Sequence, residues 1–132
     1  MEKILITTGR MLLGLYFLYP GITKITKYDF MVEYMTLHNI PLINILLPLT
    51  IVLQVVLGLM LITGYRIKEP ALILATLTIF INVGMHDFWN TYPGTDAGHE
   101  MQNFVKNLGI FAGLLALSAS NNVSQWRLFN NS

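Results

Sequence analysis

An imidazole and a carboxyl stand side by side at His86-Asp87, followed by Phe88-Trp89-Asn90, where a long uncharged run from Pro70 gives way to a polar segment leading to Lys106-Asn107. Histidine titrates near neutrality and a carboxyl can hold or release a proton, so the pair could move protons against an aromatic wall. Ionisable groups at the end of an apolar helix also carry a desolvation cost, which calls for partners, water or a function. His86 and Asp87 are therefore the candidate catalytic residues. Lys24, Trp89, Gln102, Lys106 and Asn107 are the candidate ligand-binding residues, with His38, His99 and Glu100 able to join from the loops. A salt bridge from Asp87 to Lys24 or Lys106 would relieve the desolvation of both partners. His86, Asp87, His99 and Glu100 are metal-ligand types, but their spacing fits no standard motif, so no metal site is expected. A bis-histidine haem would need facing histidines on two helices, and only His86 falls in a span.

The elements that must position these groups are apolar. Charged residues make up 11% of the 132, hydrophobic residues 54%, and the mean hydropathy is +0.57. That balance belongs to an integral membrane protein rather than to an ordinary soluble domain. Cysteine is absent, which removes disulfides, thiolate metal sites and any CxxC relay. A net charge of +1 with scattered basic residues leaves no footprint for nucleic acid.

Uncharged runs separated by single charges predict an all-α fold: one integral membrane domain over residues 1–132, an up-and-down four-helix bundle. The spans are expected at about 4–24, 42–64, 70–89 and 103–121, because a helix needs about 20 mostly apolar residues to cross the hydrocarbon core. Pro41 suits the start of the second span and Gly64 its end, with Pro48 kinking it between them, while Pro70 opens the third. Thr26-Lys27-Tyr28-Asp29 has capping-box spacing and predicts a short interfacial helix between spans one and two. Of the 8 basic residues, Lys3, Arg10, Arg66, Lys68 and Arg127 fall on one side, and Lys24, Lys27 and Lys106 on the other. The excess puts both termini in the cytoplasm of a bacterial-type inner membrane, and the His86 end at the outer interface.

Each predicted span carries one small-and-polar face. These faces are Arg10, Gly14, Phe17, Gly21 and Lys24; Thr50, Gln54 and Gly58; Ala71, Ala75, Thr78, Asn82 and His86; and Gln102, Lys106, Gly109, Gly113, Ala116 and Ser120. Lipid offers such groups no hydrogen bonds, so the four faces are expected to meet. Arg10, Gln54 and Asn82 are read as structural polar residues. Ser118, Ser120, Asn121 and Glu69 are the expected partners of Arg10.

Nearly the whole chain resembles the DoxX family of small four-helix membrane proteins, relatives of the DoxD subunit of thiosulfate:quinone oxidoreductase. The resemblance rests on Gly9-Arg10 with Gly14-Leu15, Gly21-Ile22-Thr23-Lys24, Gln54-Val55-Val56-Leu57-Gly58, His86-Asp87-Phe88-Trp89, and Gln102-Asn103-Phe104-Val105-Lys106-Asn107 leading into Gly113-Leu114-Leu115. It implies a membrane subunit associated with redox enzymes or quinone. Gln54 stands where a glutamate is expected in many members, so any proton step through that carboxylate is missing. The expected function is thus a membrane subunit of an oxidoreductase that meets quinone at the outer interface, with electrons supplied by a soluble or membrane redox partner protein and no covalently bound cofactor. The alternative is a non-enzymatic adaptor or assembly factor. A homo-oligomer is compatible with either reading, and a small-solute permease is weaker, since four short helices would have to dimerise to enclose a pathway.

Overall fold

In the computed structural model, which describes residues 1–94, 96–120 and 126–128, the chain forms five helices. They are α1 (Glu2–Thr26), α2 (Tyr28–Leu37), α3 (Ile43–Thr63), α4 (Lys68–Met85) and α5 (Ala97–Ser118). No strand occurs among the described residues. α3 and α4 are long and apolar enough to cross a membrane. Successive long helices run in opposite directions, so the N-terminus, the α3–α4 link and the end of α5 share a proximal end. The α1–α2 turn, the start of α3 and the α4–α5 loop share the distal end.

The most extensive packing joins α1 to α3 and α4 to α5. Gly14 and Gly58 make the first pairing possible. A Cβ on Gly14 would stand 2.7 Å from the Gly58 carbonyl oxygen, and one on Gly58 would stand 2.9 Å from the Gly14 oxygen. Only a missing side chain on each helix lets the two backbones come so close. Nearby, the buried guanidinium of Arg10 donates from Nε to the Leu61 carbonyl at 2.7 Å, and from Nη2 to Ile62 at 3.4 Å. These are carbonyls in the last turn of α3, where intrahelical donors run out. Arg10 therefore caps a neighbouring helix; of its expected partners, Ser118 and Ser120 bond back to their own helix end, and Glu69 faces Arg66 at 4.0 Å. Asn121 lies outside the described residues.

The apolar core is gathered toward the proximal end, from Phe17, Leu57, Leu61, Ala71, Leu74 and Leu114. The predicted inward faces hold for three helices: Gly14, Phe17 and Gly21 on α1, Gln54 and Gly58 on α3, and Ala71, Ala75, Thr78 and Asn82 on α4 are all buried. The α5 face does not hold. Gln102, Lys106, Gly109 and Ala116 are exposed, and the helix buries Glu100, Asn107, Leu114, Leu117 and Ser118 instead. That sevenfold spacing, filled between by Phe104 and Phe111, places large side chains against α4 and turns the small residues outward.

Several expected boundaries also move. α4 ends at Met85, before Asp87, and α5 begins at Ala97, where the Asp96 side chain accepts from the Gly98 amide. Pro41 does not start α3. Asn39 and Leu42 both take left-handed φ values, 59° and 53°, so the chain spends residues 39–42 reversing direction before Ile43. Pro48 sits inside α3, which continues on both sides of it. The capping box does not form, since Thr26 Oγ1 donates back to Thr23 O and α2 has no side-chain cap. Gly64 ends α3 as expected, at φ 82°.

Candidate functional site

At the distal end two histidines each meet a carboxylate. His38 lies four residues beyond Tyr34, and its backbone N–H bonds the Tyr34 carbonyl at 3.2 Å, so both rings come off one side of α2. They pack with centroids 4.6 Å apart and planes tilted by 36°. After Met85 the chain leaves helical geometry at His86, φ −121°. Short backbone bonds from Phe88 to His86 and from Asn90 to Asp87 then fold it into a tight turn. That turn swings the Asp87 carboxyl onto His38, Nδ1 to Oδ1 at 2.9 Å. Asn90 Nδ2 at 2.8 Å and the Tyr92 hydroxyl bond the other oxygen.

His86 turns the other way. Its Nδ1 meets Glu100 Oε2 at 3.1 Å, and Glu100 Oε1 accepts from the Tyr34 hydroxyl at 3.1 Å. Ionised carboxylates only accept, so both histidines carry their proton on Nδ1 in these bonds. The remaining nitrogen of His86, Nε2, is then an acceptor.

Three groups of this distal network, Asp87, Tyr34 and Tyr92, have shifted acidities. Burial pushes the Asp87 carboxyl up, but hydrogen bonds from Asn90, Tyr92 and His38 outweigh it and hold the pKa below the ordinary value. The bonds stabilise the charged form. Tyr34 is pushed up to about 12 by burial and then by the charge and hydrogen bond of Glu100, so its hydroxyl stays a donor. The hydrogen bond to Asp87 likewise raises the Tyr92 pKa.

Beside this network opens a cavity of about 310 Å³, whose walls include Lys24, Tyr34, Thr50, Met85 and His86. Ligand pockets run from about 300 to 1,000 Å³. Lys24 and His86, singled out from the sequence, thus meet at one hollow. Asp87 does not pair with either lysine and lies behind the wall on His38, 6% exposed. Trp89 packs edge-on against Phe88 and Phe104 and is half exposed. Gln102 and Lys106 point outward, and buried Asn107 accepts from Tyr16 at 2.9 Å. His99 is exposed.

Asn82 donates to the Phe104 carbonyl at 3.0 Å, as a structural polar residue should. Gln54 is buried against Gly21, and its Oε1, Asn82 Oδ1 and His38 Nε2 have no hydrogen-bond partner among the described residues. Among the described residues no group of three or more His, Cys, Asp and Glu could hold a metal ion. The sequence reading gave Tyr34 no part in the network and Glu100 and His38 only a supporting one. The available signals were the i,i+4 pair Tyr34–His38 and the spacing of seven between Glu100 and Asn107.

Helices with apolar outer faces around a buried arginine, an amide-bearing interior and a polar distal end define a helical membrane protein. The sequence profile of the DoxX family matches residues 5–87, more than half of the chain, and the chain belongs to that family. A curated relative, the inner membrane protein YphA of Escherichia coli (strain K12), is 25% identical over 117 residues, covering 89% of this chain and 83% of the relative. No solved structure matches.

Proposed function

We propose that the protein is a quinone-facing membrane subunit of an oxidoreductase, its four long helices spanning an inner membrane as one up-and-down bundle with both termini cytoplasmic. The observation that carries this reading is the convergence of Lys24 and the Glu100-bonded His86 on one cavity. A quinone needs hydrogen-bond partners for its carbonyls, an apolar wall and a proton source. Lys24 supplies a donor, and Met31, Leu47 and Ile81 supply the wall. Reduction of a quinone to a quinol takes two electrons and two protons. Protons pass through His86 Nε2, which Glu100 orients through Nδ1. Electrons come from a partner redox protein, because the chain has no cysteine couple of its own. Outward-facing Leu12, Val52, Val56, Phe80, Val83 and Val105 support lipid contact all round.

Asp87 has a different role in this scheme. Three donors occupy its oxygens, so it orders the α4–α5 turn rather than donating a proton. That saturation is also what the second reading, an adaptor that merely displays a rigid distal platform to a partner protein, would require.

The test is a titration of purified protein in nanodiscs with a short-chain benzoquinone, followed by thermal stabilisation. Saturable stabilisation that Lys24→Met and His86→Ala remove, each measured against its own ligand-free midpoint, is the expected result. Protein unmoved by quinone, together with recovery of a partner that His86→Ala leaves intact, points to the adaptor.

A further inference from the structure

The cavity that holds Lys24 and His86 does not end at its polar walls. A second, larger hollow of about 570 Å³ runs between α3 and α4. Met35, Thr50, Ile81 and Met85 line both, so the two adjoin across these side chains. The larger one is apolar apart from two threonines: Thr76 Oγ1 is bonded to the Leu72 carbonyl at 3.1 Å and Thr50 Oγ1 to Leu46 at 2.8 Å, which leaves nothing there seeking a polar guest. Its rim is open, with Leu49, Ile73 and Phe80 49%, 44% and 70% exposed. The groove exists because α3 and α4 touch far less than the α1–α3 and α4–α5 pairs do.

We infer that this groove holds the hydrocarbon tail of the same ligand whose head lies beside Lys24 and His86, so that the ligand is a long-tailed, ring-headed amphiphile entering sideways from the bilayer between α3 and α4. The inference rests on the headgroup reading above. The lining of the head cavity favours a ring over a phospholipid headgroup. It offers one cation, Lys24, among largely apolar walls, whereas phosphate groups are typically met by several cations or by backbone amides. Lipid chains are as apolar as the groove, so its affinity comes from tethering the head and from packing, not from a gain in hydrophobic burial.

The test uses the full chain in phosphatidylcholine nanodiscs and a benzoquinone bearing one long tail with a photoreactive diazirine midway along it. Labelling concentrated in the 46–53 stretch of α3 and the 73–85 stretch of α4, displaced by unlabelled tailed quinone, is the expected result. Thr76→Trp, a substitution at an exposed position that fills the groove from its rim, should abolish that labelling. It should also weaken head binding by about tenfold, as the loss of a tethered second contact predicts. Saturable head binding with label scattered over α1 and α5 overturns the tail assignment and leaves the headgroup reading standing. Label in the groove from a diazirine phospholipid that quinone does not displace overturns the ligand class. Absence of any saturable quinone binding overturns the headgroup reading itself. The wild-type labelling map decides the matter even if Thr76→Trp fails to fold.

Discussion

Alanine at Gly14 and alanine at Gly109 should move stability in opposite directions, although both are glycines at small-residue spacing in predicted spans. At Gly14 the new methyl would lie 2.7 Å from the Gly58 carbonyl oxygen, 2.7 Å from Ile62 Cγ1 and 3.0 Å from the Ile62 amide. Two of those three atoms are backbone, so relief requires α1 and α3 to part. Overpacking of that kind costs about 1–3 kcal/mol, and alanine returns about 0.5–1 kcal/mol over glycine within a helix. The net is a destabilisation of up to about 2.5 kcal/mol, centred on about 1 kcal/mol. At Gly109 a Cβ meets nothing within 4 Å, so only the helix term remains and the variant should gain about 0.5–1 kcal/mol. Thermal unfolding of both variants in one mild detergent should show midpoints displaced in opposite senses by a few degrees. A Gly14→Ala protein as stable as wild type would refute the glycine crossing and the placement of α1 on which Lys24 rides.

Further expectations concern the polar groups. Arg10→Met should leave the Leu61 and Ile62 carbonyls without their donor and cost about 1–3 kcal/mol in denaturant unfolding. Asp87→Asn should cost about 1.5–3 kcal/mol, the scale of hydrogen bonds to a charged group, and speed amide exchange in residues 86–92. Because the Asp87 pKa is held below its ordinary 3.8, its contribution is fully present above that value and is lost as pH falls through the depressed one. The wild-type midpoint should therefore drop in acid with a component that Asp87→Asn lacks. Lys106→Ala should leave quinone stabilisation unchanged while Lys24→Ala abolishes it, a contrast read from the same nanodisc titration.

Much of the helical layout was legible because small and polar residues recur at helical spacing on α1, α3 and α4, where burial and lipid exclusion act on the same face. α5 misled for a physical reason. Gly109 and Gly113 look like a packing stripe, yet large Phe104, Phe111 and Leu114 fill the space against α4 better, and pattern alone does not rank size against smallness. The His86 end was legible as a polar terminus, but its pairing was not. Asp87 was expected on a lysine at equal depth, whereas the chain leaves α4 two residues earlier and a turn carries the carboxyl to His38. Turns of that kind depend on tertiary contacts to α2 that no local spacing encodes. Lys24 and Lys106 were indistinguishable in sequence, and only the rotation of α5 separates the inward cation from the outward one.

The central claim is that His86 presents Nε2 to a quinone headgroup while Glu100 holds Nδ1. It is tested most directly by nitrogen NMR of histidine-labelled protein in nanodiscs, with and without a short-chain benzoquinone. The chain has 3 histidines, and His86→Ala assigns the one that matters. The expected spectrum shows His86 as the Nδ1–H tautomer, with its Nε2 signal shifting saturably on addition of quinone, while buried His38 and exposed His99 stay in place. Saturable quinone binding that leaves the His86 signal unmoved would contradict the account.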